Sequence, residues 1–257
     1  MRIAVAGGTG VVGRYVVQAA AAGGHDVIAM SRRTGVDLST GKGLGAALEG
    51  VEAIVDASNF DTTNGARAKA FFTEATGRLQ RVGSTQGVSR LVTLSIVGLE
   101  RAEGYGYYEA KLAHEAAALA GPLRATVVRA TQFHEFPAQI LKRARFGPLA
   151  LIPVMRVQTV AARSVGEVLV EVATTEPSSG QTTATEIAGP EQSKVADLAR
   201  AILAKLGIRS SVVSLPIPGA AGRAMREGAL LPSRQARIVG PRFAEWLTGD
   251  DLAVLFS

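Results

Sequence analysis

Three glycines at a spacing of three, Gly7, Gly10 and Gly13, separate a short apolar run at residues 3–6 from an alanine-rich segment at 14–22 with helical character. The run is long enough for a buried strand. Strand, glycine turn and helix in immediate succession leave few folds open, because a side chain at any of the three glycines would obstruct the arrangement. Gly7 lets the chain turn sharply off the strand, Gly10 leaves room for a pyrophosphate, and Gly13 lets the helix lie close to the strand. The free N–H groups of the first helical turn then face the phosphates, and the helix dipole adds to the attraction. The same letters satisfy two patterns, G-x-G-x-x-G through Gly8, Gly10 and Gly13, and G-x-x-G-x-x-G through Gly7, Gly10 and Gly13. In this strand–turn–helix context either one points to a dinucleotide, and the second, through Gly7, Gly10 and Gly13, is the preferred reading.

Residues 27–30 read as the second strand, with Ser31, Arg32 and Arg33 at its end. An acidic residue there would hold a ribose 2′-hydroxyl. Two arginines stand there instead, and guanidinium groups make forked, charge-assisted bonds to phosphate. NADP(H), with its 2′-phosphate, is therefore the expected cofactor. Further buried strands are expected at 53–57, 90–94 and 124–129, with helices at 44–48, 66–82 and from Tyr107 to about residue 120. Strand–helix–strand crossovers of this kind need a parallel sheet covered on both faces. The expected fold is a doubly wound α/β sheet of the Rossmann type, in strand order 3-2-1-4-5-6, with a smaller C-terminal lobe for substrate. Residues 1–131 would form the dinucleotide-binding core, with 156–190 returning to it, and 132–155 and 191–257 would form the lobe.

The bulk numbers agree with this. A chain of 257 residues with 47% hydrophobic residues suits one large α/β domain or a domain with a modest appendage. With no cysteine there can be neither a disulfide nor a thiolate metal site, and no metal is expected. The strand at the very start leaves no room for a signal peptide, and no apolar run reaches membrane-spanning length, so a cytoplasmic protein without a membrane partner is expected. The formal charge of +6 is a modest excess, and no basic run with interleaved aromatics suggests nucleic acid. The expected partner is a small-molecule substrate.

Gly104-Tyr105-Gly106-Tyr107-Tyr108-Glu109-Ala110-Lys111 leads into the helix after the fourth strand, which Ser95 closes. Tyr107 and Lys111 lie four apart, on one helical face. The order glycine turn, Ser95, Tyr107-x-x-x-Lys111 resembles the catalytic framework of the short-chain dehydrogenase/reductase superfamily. The resemblance implies that Tyr107 is the acid/base, that Lys111 holds the nicotinamide ribose and lowers the phenol pKa, and that Ser95 steadies the substrate carbonyl. A phenol needs such a cation to act as an acid/base near neutrality. Tyr108 competes with Tyr107 for the place facing the nicotinamide. The resemblance also implies cofactor contacts from Gly7, Thr9, Gly10, Val11, Val12 and Gly13. It adds Asp37 and Leu38 beside the adenine, and Ala57 and Ser58 beneath the cofactor, with Asn59 following. Asp37 could equally cap its own turn.

The segment Arg129-Ala130-Thr131-Gln132-Phe133-His134-Glu135-Phe136, together with Ile187-Ala188-Gly189-Pro190, resembles the NmrA-like, NAD(P)H-binding branch of that superfamily. The branch implies that Gln132, Phe133 and His134 begin the substrate side. It includes members that only sense the cofactor. Three functions are therefore carried forward. The leading one is an NADP(H)-dependent oxidoreductase acting on a carbonyl or enone. The alternatives are a non-hydride isomerase, epimerase or cyclase on the same scaffold, and an NADP(H)-sensing regulatory protein. His114, seven residues after Tyr107, is expected to be a packing histidine. Further along, helices are expected at 165–173, 195–206 (with Ser193 as N-cap), 243–247 and 251–256, an edge strand at 183–188, and a lid or loop region at 215–240.

Overall fold

The computed structural model describes residues 1–175 and 184–252. Among them the strands are β1 (Arg2–Ala6), β2 (Asp26–Met30), β3 (Ala53–Asp56), β4 (Arg90–Ile96), β5 (Arg124–Ala130), β6 (Arg145–Phe146), β7 (Leu149–Pro153), β8 (Arg156–Val157), β9 (Thr185–Ala188), β10 (Ser193–Lys194), β11 (Ser211–Leu215) and β12 (Arg237–Ile238). The helices are α1 (Gly13–Ala22), α2 (Leu44–Ala47), α3 (Gly65–Thr85), α4 (Gly106–Leu119), α5 (Phe136–Ala144), α6 (Ala162–Thr174), α7 (Val195–Lys205), α8 (Gly219–Glu227) and α9 (Phe243–Thr248). The chain divides into two compact units. One comprises Met1–Ser95, Tyr105–Arg129 and Arg163–Thr185, and the other Ile96–Gly104, Ala130–Ala162 and Glu186–Ser257.

The first unit is the expected doubly wound α/β arrangement. Its strands stand in the order β5-β4-β3-β1-β2, and the pairs β1–β2, β1–β3 and β3–β4 are parallel. Ile3, Ala4, Val5 and Ala6 are all fully buried, as a strand covered on both faces requires. Helix α6 lies close against α1, where a Cβ on Gly166 would fall 2.8 Å from the backbone of Tyr15. Helices α3 and α4 meet where a Cβ on Gly65 would fall 2.7 Å from Gly106 Cα. That glycine-on-glycine crossing brings the start of α4, which carries Tyr107, against the start of α3. Helix α3 begins one residue before the predicted start, where the Asn64 side chain accepts from Arg67 N at 3.0 Å.

The strand order departs from the predicted 3-2-1-4-5-6. Strand β3 lies beside β1, and β2 is the edge. Burial explains the choice: all four residues of β3 are buried, whereas β2 is only half-buried along most of its length. The segment that would have supplied a strand outside β2 turns back on itself instead. Ser31 and Thr34 close a reciprocal cap on a single 3-10 turn, and Asp37 pairs with Lys42 in an isolated antiparallel bridge. Val36 and Leu38 then enter the core with Met30, Leu44, Leu48 and Leu79.

In the second unit β9, expected at an edge, pairs in parallel with β12. Strands β6, β7 and β11 form a separate small sheet, and β8 pairs with β10. The region at 215–240, predicted as a lid or loop, contains α8 and β12. Ser193 belongs to β10 and does not cap α7, which starts from Lys194 without a side-chain cap. The predicted helix at 251–256 begins as a 3-10 turn at Asp250–Leu252, and residues 253–256 lie outside the described residues.

Candidate functional site

Strand register gathers the predicted cofactor residues. Ala6 is opposite both Met30 and Asp56, and Asp56 is opposite Thr93. The segments that leave β1, β2 and β3 therefore emerge at one end of the sheet: the glycine turn, Ser31 to Arg33, and Ala57 to Asn59. Ser95, still within β4, lies two residues beyond Thr93 toward the same end. This is the carboxyl end, where ligands bind in open α/β sheets.

The glycine turn is built as its sequence implied. Gly7 has a φ of +72°, and a Cβ there would fall 2.7 Å from Ala57 O. A Cβ on Gly13 would fall 2.1 Å from Gly7 O. Gly10 differs from both. Its φ is ordinary, and a Cβ there would meet only Gly7 O, at 3.1 Å. Gly7 and Gly13 thus hold the turn together, while Gly10 borders open space. Thr9, Val11 and Val12 complete the loop, and α1 starts from Val12 without a side-chain cap. That leaves the helix N-terminus suited to an anion.

Arg32 and Arg33 are exposed on the 3-10 turn after β2, and neither guanidinium has a partner among the described residues. The turn from Arg32 to Thr34 itself carries two cations and no carboxylate. Asp37 caps its own turn, with Oδ1 accepting from Ser39 N at 2.9 Å. Leu38 is a core residue, and Arg78 donates to its carbonyl.

Tyr107 is half-buried, and its hydroxyl donates to Asn59 Oδ1 at 2.6 Å. Its ring stands edge-on to Phe72. Tyr108 packs its ring against Tyr105 and Tyr107. Burial, helped by Tyr105 and Asp61, pushes the Tyr107 phenol up to about 12. This is the reverse of the lowering that the resemblance implied. The Lys111 head group is turned inward. It donates to Leu94 O at 2.9 Å, meets His114 Nδ1 at 2.7 Å, and sits 4.7 Å from the centre of the Phe72 ring. Burial lowers Lys111 to about 8, with Asp56 and Glu115 opposing the shift. Ser95 Oγ is buried with no hydrogen-bond partner among the described residues, and so is Thr93 Oγ1.

His114 is more than packing. Its Nε2 lies 2.9 Å from Asp56 Oδ2, and both residues are fully buried. The spacing of Lys111 and His114, one helical turn apart, was the available sequence signal. Asp56 ends a strand distant in sequence, and only the fold brings it to them.

Gln132, Phe133 and His134 belong to the second unit. Phe133 bridges to Val160, and Gln132 Oε1 is buried without a partner among the described residues. His134, expected on the substrate side, is fully buried and has both ring nitrogens engaged. Nε2 donates to Pro241 O at 3.1 Å, which leaves Nδ1 to accept from Thr159 Oγ1 at 2.7 Å. Phe243 and Trp246 enclose its ring. A ring so enclosed anchors the loop to α9 and has no nitrogen left for substrate.

Burial holds His134 at about 4, below its ordinary 6.5, and His114 is lowered for the same first reason. An unfolded histidine takes up its proton near pH 6.5, whereas the folded His134 resists until about pH 4. Both groups therefore leave stability intact above pH 6.5 and erode it as pH falls below that value. Thermal melting between pH 7.5 and 5 should show a falling midpoint, and a flat midpoint over that range would contradict the assignment.

Residues 3–96 match the family model described as NAD dependent epimerase/dehydratase family. The match runs from β1 through β4 and stops before Tyr107. None of the curated proteins matches the sequence. Solved structures resemble the chain along nearly its whole length. A short-chain dehydrogenase/reductase superfamily protein from Agrobacterium tumefaciens with bound NAD is 18% identical with a TM-score of 0.68, over 100% of this chain and 97% of its own. MoeE5, in complex with UDP-glucose and NAD, is 18% identical with a TM-score of 0.72, over 98% and 96%. A UDP-N-acetylglucosamine 4-epimerase from Bacillus cereus is 16% identical with a TM-score of 0.66, over 99% and 96%. The fold is theirs.

Proposed function

We propose that the chain is an NADP(H)-dependent oxidoreductase of the short-chain type that reduces the carbonyl group of a small molecule, with Tyr107 as the proton donor. The observation that carries this reading is the strand register that brings the glycine turn, the Arg32–Arg33 turn and Ala57 to Asn59 to one end of the sheet, with the Tyr107 hydroxyl bonded to Asn59 Oδ1 at 2.6 Å. The cofactor suits the residues present. The turn from Gly7 to Gly13 would take the pyrophosphate, Arg32 and Arg33 the 2′-phosphate, and Ala57 and Ser58 the strand ends beneath it. The bound nicotinamide would supply the hydride.

The chain's own groups do the rest. Ser95 Oγ, buried and without a partner, would bond the carbonyl oxygen and hold it for protonation. Lys111 has three donors; one goes to Leu94 O and one to His114, which leaves a third for the ribose. His134, with both ring nitrogens engaged, is not among the proposed substrate contacts. A second reading has one observation in its favour. A phenol that burial raises to about 12 also suits a protein that binds NADP(H) and reports on it without turnover.

NADPH should bind more tightly than NADH by about 2–4 kcal/mol, or about 30-fold and upward, if Arg32 and Arg33 meet the 2′-phosphate. Titration calorimetry with both cofactors, on the wild type and on Arg32→Ala/Arg33→Ala, tests this. The double variant should lose the preference and keep its NADH affinity. Equal affinities in the wild type would remove the case for NADP(H). NADPH oxidation across a panel of ketones, quinones and enones then separates an enzyme from a sensor.

A further inference from the structure

Inside the first unit, three ionisable side chains stand in line with almost no access to water. Lys111 is 4% exposed, and His114 and Asp56 are 0% exposed. A lone buried ammonium is strongly disfavoured, so its surroundings must supply acceptors and a counter-charge. Leu94 O is the first acceptor and His114 Nδ1 the second. An ammonium can only donate, so Nδ1 must carry a lone pair. The imidazole is then neutral, with its single proton on Nε2, and that proton is donated to Asp56 Oδ2. With Lys111 an ammonium, the direction of every bond in the line follows. Asp56 is held in turn: Oδ1 accepts from Ser58 N at 3.0 Å, and Thr76 Oγ1 lies 3.5 Å from Oδ2. Phe72 stacks on the imidazole at 4.8 Å and lies under the Lys111 head group.

We propose that Asp56 and His114 are positioning residues for Lys111: together they hold its head group at one place and keep it an ammonium. The consequence for turnover rests on the cofactor role proposed above for Lys111. Asp56 supplies the counter-charge and His114 transmits it across the gap between β3 and α4. The other charged groups nearby are Glu115 on α4, which acts on both Lys111 and His114, and Arg129 on β5. Arg129 grips Glu115 through two bonds, at 2.9 and 2.6 Å. Glu115 is thereby committed to a full positive charge, so Asp56 is the carboxylate left to balance the lysine. Burial alone would raise Asp56, but His114 and Ser58 outweigh it and hold the carboxyl down to about 2, so it stays ionised. Loss of Asp56 or His114 would therefore release the ammonium from its place, its charge, or both.

The test reads Lys111 itself. Lysine labelled with 13C at Cε gives one signal for each of six lysines, and Lys111→Arg identifies the relevant one. Its titration midpoint should lie near 8 in the wild type. In Asp56→Asn, which preserves shape, it should fall by about one pH unit or more; an unchanged midpoint in a folded variant overturns the proposal. Should Asp56→Asn fail to fold, the wild type still decides the matter. Long-range 15N spectra of its three histidines should show His114 as the neutral Nε2–H tautomer between pH 6 and 8. An Nδ1–H tautomer or an imidazolium overturns the proposal. NADPH affinity measured against pH adds the functional readout. It should weaken as pH rises through the Lys111 midpoint, and this weakening should begin at lower pH in Asp56→Asn. Failure of the wild type to bind NADPH at any pH would defeat the proposed function, while the titration and the tautomer would still decide the role of Asp56 and His114.

Discussion

Tyr107→Phe should lower NADPH-driven carbonyl reduction by roughly 10²–10⁴, the usual worth of a positioned acid. The substitution removes one oxygen and keeps the ring, so the edge-on contact with Phe72 survives. The lost bond goes to Asn59, an exposed residue whose amide oxygen water can satisfy. The stability cost should accordingly stay near or below ~1 kcal/mol. NADPH affinity should be close to native, because the phenol is proposed to serve the substrate and not the cofactor. Lys111→Ala should damage both affinity and turnover, since its remaining donor is proposed for the ribose. Together these variants separate the enzyme from the sensor, whose output would follow affinity alone. The measurement is steady-state NADPH oxidation with whichever panel substrate the wild type accepts. Full activity in Tyr107→Phe would remove Tyr107 from the proton transfer and make Tyr108 or water the next source to examine.

The second large effect separates the glycines by their jobs. Gly10→Val should abolish NADPH binding, by at least about 100-fold or ~2.7 kcal/mol, while leaving the fold near native. Gly10 does not have a positive φ, and a Cβ there would meet only Gly7 O, at 3.1 Å. The branched methyls would fill the space proposed for the pyrophosphate. Gly13→Ala should behave in the opposite way. Its Cβ would be driven to 2.1 Å from Gly7 O, so the turn and the start of α1 must move apart. A loss of about 3 kcal/mol or more is expected from such overpacking. Circular dichroism melting alongside cofactor titration distinguishes the two. If Gly10→Val bound NADPH with native affinity, the glycine stretch would be a structural turn alone.

Local chemistry made much of this protein legible in advance. The buried apolar run, the three glycines and the alanine-rich helix are short-range features, and β1, the turn and α1 fall where their sequence puts them. The arginine pair after β2 and the alternation of strands and helices are likewise read from neighbours in the chain. Where burial depends on which strand lies beside which, such reading fails. Residues 53–56 and 26–30 both look like strands, but only full burial of the former places β3 in the centre and β2 at the edge.

The environment of side chains was the part that tertiary structure alone decided. Tyr107 and Lys111 are neighbours on a helix face by spacing, which made a lysine-activated phenol the natural expectation. The fold brings the Leu94 carbonyl and, through His114, the Asp56 carboxylate to the lysine from two other strands. Those partners engage the ammonium, while burial, with Tyr105 and Asp61, holds the phenol up at about 12. His134 illustrates the same division: its place after β5 suggested substrate, while Pro241, Thr159 and α9 enclose it completely. Sequence spacing determines which groups can share a helix face or a turn. Hydrogen-bond partners and the cost of burying charge come from residues 17 to 107 positions away, and they decide what those groups can do.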